Sequence, residues 1–371
     1  MKKTKVLALV LCIVLAFGLF AGCGKTAAPA APAAPAAPAE PAAPSEPAAP
    51  AEPAAEPVDD TVYTLIYAST NAEGSAVNVE IEQVFKDKLY EASNGRLVLD
   101  IYSSGTIASS GEMLDALKSG IADMGPFLTP VYQGQFPYSD LFSTPGLSYG
   151  TVAETDAALR AYTEAYPDEL FQTTLKILFR WNLGTQAVIS SKPVSSVADF
   201  NGLTMRVVSS NKDFYGAMGI AAVSMGAGDV YEGIKLHTVE STVTGLDGYL
   251  RNKLYEVADY LTPVPCHVGE SAIVINMDKF NSLPADLQQI MLDVSAEMAE
   301  LNTKFIEKQD ATAIETAQAA NANLQLLEFS AEETAKMTEI ANELLEAKAA
   351  ELDSLGLDGA GALAFLRSYA K

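Results

Sequence analysis

From Val62 onward, short runs rich in β-branched and aromatic residues alternate with segments whose apolar residues recur every three or four positions. No other feature limits the possible folds as much. Alternating strand and helix patterns build βαβ units, which predicts an α/β protein with a mainly parallel sheet. Val62 to Tyr67 reads as the first strand. Gly74-Ser75 opens a helix carrying Val77, Ile81, Val84, Phe85 and Leu89 on one face. Asn94-Gly95 stops it as a left-handed cap would. Leu97 to Tyr102 is the next strand, Gly111 to Lys118 a short helix, and Ala122 to Phe127 a third strand.

Helices are expected from Val152 to Tyr166 and from Asp168 to Thr173, and strands from Leu175 to Trp181 and from Gln186 to Ser190. A second alternating unit runs from Ser195 to about Tyr260, followed by a strand from Ser271 to Asn276. The pattern then changes. Pro284 stands at a helix start, where proline is tolerated. The alanine-rich apolar pattern runs on without a breaker to about Ala320. Such a helix would be ~50 Å long at 1.5 Å per residue, enough to cross two lobes. Leu324 to Phe329 reads as a strand, Ser330-Ala-Glu-Glu as a capping box opening another helix, and Gly359 to Tyr369 as a last short helix.

The N-terminal 60 residues do not share this pattern. Lys2, Lys3 and Lys5 precede an apolar stretch, Val6 to Phe20, which together read as an export signal over residues 1–22. Phe20-Ala21-Gly22-Cys23 resembles the bacterial lipoprotein cleavage box, which implies a lipid on Cys23. The alternative is an ordinary secretory signal with an incidental cysteine. Residues 23–60 continue as Ala-Pro repeats with scattered Glu, an extended solvated tether. Residues 61–371 are long enough for two domains.

Charge and residue usage remove several function classes. The formal net charge is −23, which opposes nucleic acid and anionic membrane surfaces as partners. An acidic ligand is not opposed, because a local arginine in a cleft overrides a screened distant field. Of the three cysteines, Cys12 falls in the signal and Cys23 in the cleavage box, leaving Cys266 without a disulfide partner. With His237 and His267 as the only histidines and no Cys-x-x-Cys, neither a zinc site nor another metal or cofactor is expected. His-Glu-x-x-His and Walker motifs are absent from the sequence. Cys266-His267 invites a nucleophile reading, but adjacent residues on an extended chain point to opposite faces.

Arg206 stands out in the segment 201–210, a short apolar run after the helix-and-turn phrase 193–202. A guanidinium on a strand is held rigidly, and its fork of donors matches a carboxylate. Around it, six phrases occur in an order and spacing similar to those of solute receptors of the tripartite ATP-independent periplasmic (TRAP) transporters. They are residues 94–105, 111–124, 191–207, 229–233, 253–260 and 283–290. The resemblance covers about Thr61 to the C-terminus. It implies a periplasmic-binding-protein-like α/β fold of two lobes with a hinge and a long helix spanning both. It divides the chain into a first lobe of about 61–183 and 270–310, and a second of about 184–269 and 311–371. It also implies capture of a small organic acid by hinge closure and delivery to a membrane permease.

In this resemblance Arg206 falls on the family's carboxylate-binding arginine. Two departures follow. Gln186 occupies the place of a second arginine found in many members, and 240–244, Glu-Ser-Thr-Val-Thr, replaces the common Asp-Gly-Gln-Glu-Asn. A neutral amide hydrogen-bonds but carries no charge. C4-dicarboxylates and sialic acid therefore fit poorly, and a monocarboxylate with an apolar or hydroxylated body fits better. Further cleft candidates are Trp181, Phe127 and Thr129, Ser69, Thr70 and Asn71, Glu240 and Thr244, and Asp247 with Tyr249. Strand ends such as Phe127 and Ser69 are where open α/β sheets place ligands. Packing or solvation is the competing role for each. The same lobes would also serve a sensory module signalling to a membrane receptor, or an anchored enzyme acting on an acid.

Overall fold

A computed structural model of the chain describes residues 60–371. The expected export signal, Cys23 and nearly all of the Ala-Pro segment lie outside the described residues. The strands are β1 (Tyr63–Ala68), β2 (Leu97–Tyr102), β3 (Met124–Phe127), β4 (Leu175–Asn182), β5 (Gln186–Ser190) and β6 (Thr204–Arg206). They continue with β7 (Ala221–Val223), β8 (Ser241–Gly245), β9 (Tyr260–Pro263), β10 (Glu270–Asn276) and β11 (Gln325–Leu326). Two sheets form, in the orders β2-β1-β3-β10-β4 and β11-β9-β5-β8-β6-β7.

The sheets are mixed, which corrects the expectation of mainly parallel pairing. β1 runs parallel to β2 and β3, but β10 runs against both β3 and β4. In the second sheet β6 is parallel to β7 and β8, whereas β5 opposes β8 and β9. The cause is the path of the chain. It leaves the first sheet after Asn182, enters the second at Gln186, and returns between Pro263 and Glu270. A strand made on the return trip meets its neighbours head to tail. The two crossings are bonded to each other: the Leu183 N–H donates to Gly269 O at 2.9 Å, and the Val264 N–H to Gln186 O at 2.8 Å.

The long helix is Ala285–Ala320, 36 residues. Leu287, Met291, Val294, Met298 and Phe305 pack into the core of the first sheet, with Leu65, Phe85, Phe179 and Ile273. Ala313 and Ala317 reach the core of the second, with Ile189, Ile234 and Tyr249. One helix thus spans both lobes. The next helix, Ala331–Ser354, does the same. Met337 and Ala341 pack with Met205 and Val243, while Leu345, Ala349 and Leu352 pack with Leu141, Phe142 and Tyr162 of the first lobe. The last helix, Gly359–Tyr369, joins them through Ala362, Leu363 and Leu366. Residues 345–371, expected with the second lobe, therefore lie against helices of the first. Their apolar stripe simply continues past one core into the next.

Two helix starts depart from the simple pattern. The first helix opens with a π-turn, Asn78–Glu82, before Gln83–Ala92. Ser330 caps its helix by accepting from the Glu333 N–H at 3.2 Å. The Glu333 carboxylate does not reciprocate; it accepts from the Val197 N–H at 2.6 Å and ties the helix to the second lobe. Among the described residues no helix is long and apolar enough to cross a membrane.

Candidate functional site

Arg206 ends the three-residue strand β6, reached through the turn at Asn201-Gly202. Met205 points into the core with Val188 and Val243. Alternation then turns Arg206 to the other face of the sheet. It pairs in register with Thr242 on β8, and Thr242 and Thr244 pair with Ile189 and Ala187 on β5. Arg206, Thr242 and Thr244 therefore share one face. The guanidinium is half-buried, and burial pushes its pKa below the ordinary arginine value. Its Nε donates to Met225 O at 3.2 Å. Among the described residues no carboxylate lies within ion-pair distance, and the two terminal nitrogens have no protein acceptor.

A second polar group stands at the ends of β1 and of the helix after β8. Glu82, 1% exposed, accepts from Ser69 Oγ at 2.6 Å, Asn71 Nδ2 at 2.9 Å and Asn78 Nδ2 at 3.0 Å. Asn78 and Glu82, four positions apart in the helical turn, meet on one face. Asn71 Oδ1 in turn accepts from Arg251 Nη1 at 3.3 Å, a contact between the first lobe and the second. Arg251 also faces Asp247 Oδ2 at 3.4 Å. The structure thus brings together Ser69, Asn71, Asp247 and, through Arg251, Thr244. Thr244 Oγ1 and Arg251 Nη2 flank one face of Gly248, 2.5 Å and 3.6 Å from where a Cβ there would stand.

Other expected site residues lie elsewhere. Phe127 is 1% exposed in the first-lobe core, stacked on Tyr132 at 4.9 Å. Trp181 packs with Phe179 at 5.6 Å under the long helix. Alternation along β3 and β4 turns both rings inward, where burial outweighs any stacking role. Thr129 donates its hydroxyl to Glu270, which is ion-paired with Arg180 in the first-lobe interior. Gln186 donates to the Leu183 and Gly184 carbonyls, each at 3.3 Å, so its amide braces the first crossing. Glu240 stands at the other end of β8 from Thr244, ion-paired with Lys192, which with the Thr204 N–H holds its carboxyl below the usual range. Tyr249 is fully buried in the second-lobe core, and Thr70 is half-buried beside Asn71.

Cys266 and His267 do not form a dyad. Burial pushes the Cys266 thiol up to about 11 and His267 down to about 3, and His267 Nδ1 is bonded to the Tyr215 hydroxyl at 3.1 Å. Sequence reasoning missed Glu82 and Arg251. The Asp247–Arg251 spacing of four was a legible helical pair. Nothing local distinguished Glu82 from a solvated helix residue. Among the described residues no group of His, Cys, Asp and Glu is arranged to hold a metal.

Three comparisons bear on this site. The family model described as bacterial extracellular solute-binding protein, family 7 (DctP) matches residues 67–352. The 2,3-diketo-L-gulonate-binding periplasmic protein YiaO of Escherichia coli K12 is 24% identical over 225 residues, 60% of this chain and 69% of that protein. The ectoine-binding periplasmic protein TeaA of Halomonas elongata is 22% identical over 286 residues, 76% of this chain and 83% of that one. Among solved structures, the sugar acid binding protein DctPAm of Advenella mimigardefordensis, in complex with galactonate, superposes with a TM-score of 0.76 at 19% identity, covering 84% of this chain and 100% of that one. A TRAP solute binding protein of Rhodoferax ferrireducens, with copurified benzoate, gives 0.76 at 20% identity, covering 83% and 97%. These likenesses establish the two-lobed fold.

Proposed function

The chain belongs to the bacterial extracellular solute-binding proteins of family 7, the TRAP periplasmic receptors, and on that premise we propose that Arg206 captures the carboxylate of an organic acid between the lobes. The family and the matched relatives are solute-binding receptors, not enzymes, so the anchored-enzyme alternative falls. One observation carries the proposal: Arg206 is a desolvated guanidinium on a strand with no counter-ion among the described residues. A half-buried charge without a counter-ion gains when a partner arrives, and a carboxylate supplies two acceptors in matching geometry. The relatives' solutes include a diketogulonate, ectoine, galactonate and benzoate, all carboxylates.

Two crossings and the long helix form the hinge about which the lobes close. The closed receptor hands its solute to a TRAP permease in the membrane. Phe20-Ala21-Gly22-Cys23 supports a lipid anchor on Cys23, with the Ala-Pro segment as the tether to it. Calorimetric titration of the purified protein with a panel of mono- and dicarboxylates tests the central assignment. One acid class binds, and Arg206→Ala abolishes binding without changing the fold. Undiminished binding by Arg206→Ala would overturn it.

A further inference from the structure

We propose that Arg251, Asn71 and Asp247, braced by the buried Glu82, form a second, polar subsite that takes hydroxyl groups of the solute, so that the preferred solutes are polyhydroxylated monocarboxylates. The inference rests on Arg206 as the carboxylate anchor and adds the chemistry of the rest of the cleft.

The first argument is placement. Arg206 pairs with Thr242, and Thr244 follows on the same face, about 7 Å further along the strand. The Thr244 hydroxyl has no hydrogen-bond partner among the described residues and stands on the same side of Gly248 as Arg251 Nη2. From Arg251 the chain of contacts runs to Asn71 and on to Glu82. The contacts from Arg251 to Asn71 thus run from the second lobe into the first, beginning beside Thr244 on the sheet face that also carries Arg206.

The second argument is charge. Arg206 carries an uncompensated positive charge. The second group carries one cation, Arg251, which faces Asp247, and two anions, Asp247 and Glu82; among the described residues no cation is within ion-pair distance of Glu82. A second carboxylate arriving there meets a negative excess. A hydroxyl does not, because it donates to Asp247 while accepting from Arg251 or Asn71. Dicarboxylates are thereby disfavoured by charge. Gln186, whose amide is spent on the crossing carbonyls, supplies no positive charge to offset this.

The third argument is spare capacity. The two Arg251 contacts are long, 3.3 and 3.4 Å, and 32% of its side chain remains exposed. Such a donor shortens its bonds when a better acceptor enters. The aromatic rings that would favour a flat apolar acid, Phe127 and Trp181, are committed to the first-lobe cores.

Calorimetric titration with galactonate, benzoate and succinate separates the possibilities. The wild-type protein binds galactonate at least about ten-fold tighter than either other acid, a difference of one or two hydrogen bonds. Arg251→Ala, a change at an exposed position, and Asn71→Ala each weaken galactonate by about ten-fold and leave benzoate within two-fold. A wild-type preference for benzoate or succinate overturns the subsite, and so does an equal loss of galactonate and benzoate in Arg251→Ala. Binding of none of the acids, or indifference to Arg206→Ala, instead removes the carboxylate anchor on which the subsite rests, and the subsite with it.

Discussion

Asp310 Oδ2, on the long helix, accepts a 2.7 Å hydrogen bond from the Thr185 N–H in the first crossing between the lobes. The helix that spans both lobes is thus tied to the strand that leaves one for the other. Gly184 makes room for it: its φ is +67°, and a Cβ there would stand 2.6 Å from Asp310 Oδ1. Burial raises the Asp310 carboxyl above its usual range, and Oδ1 has no partner.

Asp310→Asn retains an acceptor for Thr185 and removes the buried charge. The raised pKa means the native state holds this proton more tightly than the unfolded chain, so the charge costs stability once pH rises through the native value. Asp310→Asn is expected to match the wild type at about pH 4 and to be the more stable at neutral pH. Asp310→Ala, which leaves the Thr185 N–H without its acceptor, is expected to be about 1 kcal/mol less stable than Asp310→Asn at either pH. Thermal unfolding at both values separates the three proteins.

Arg180 and Glu270 form a buried ion pair, 5% and 0% exposed at their side chains, with Ser139, Thr163, Thr129 and Ser143 as further partners. Removing one member strands the other charge. Arg180→Met is therefore expected to cost about 3–5 kcal/mol, and Arg180→Met combined with Glu270→Gln to recover much of that loss. Denaturant unfolding of the single and double variants measures both. A double variant no more stable than the single one would argue against stranded charge as the cause.

Asp140 carries its own pH dependence. Burial pushes its carboxyl up to about 7, with Asp168 and Glu270 adding to the rise and the Gly134 N–H and Lys348 opposing it. The native protein keeps a proton that the unfolded chain releases near pH 4. Stability from this group is full below about 4 and declines as pH rises toward 7. Asp140→Asn flattens that part of the stability–pH curve, followed by thermal unfolding from pH 4 to 8. An unchanged slope would place the titration on another group.

Cys266 is 5% exposed, with its thiol pushed up to about 11. A thiol that is neither ionised nor accessible reacts slowly. A thiol-specific reagent at pH 8 should label the native protein negligibly at this position and fully in denaturant. Prompt native labelling would mean that the crossing at 264–269 opens readily.

How much of the site was legible depends on the range of the force that placed each residue. The face presented by Arg206 follows from strand alternation and its identity from the phrase around it, both local. Its lack of a counter-ion is not local. It is a statement about every acid elsewhere in 312 described residues, and only folding made it. Phe127 and Trp181 stood at plausible strand ends, yet neighbours distant in the chain, Tyr132 and the long helix, decided that they are core. Glu82 and Arg251 sit 169 positions apart in the sequence and are joined through one asparagine.

By itself, the sequence determined the elements and their class. The apolar spacing of 285–320 and the left-handed stops at Asn94-Gly95 rest on contacts between residues a few positions apart. Such contacts form the same way in any tertiary setting. Tertiary structure alone decided strand direction, the return of 345–371 to the first lobe, and the diversion of the Glu333 carboxylate from its own helix cap to Val197. Each of these depends on where the chain crosses between the two sheets. A crossing is chosen by the burial of whole faces, which no window of neighbouring residues contains.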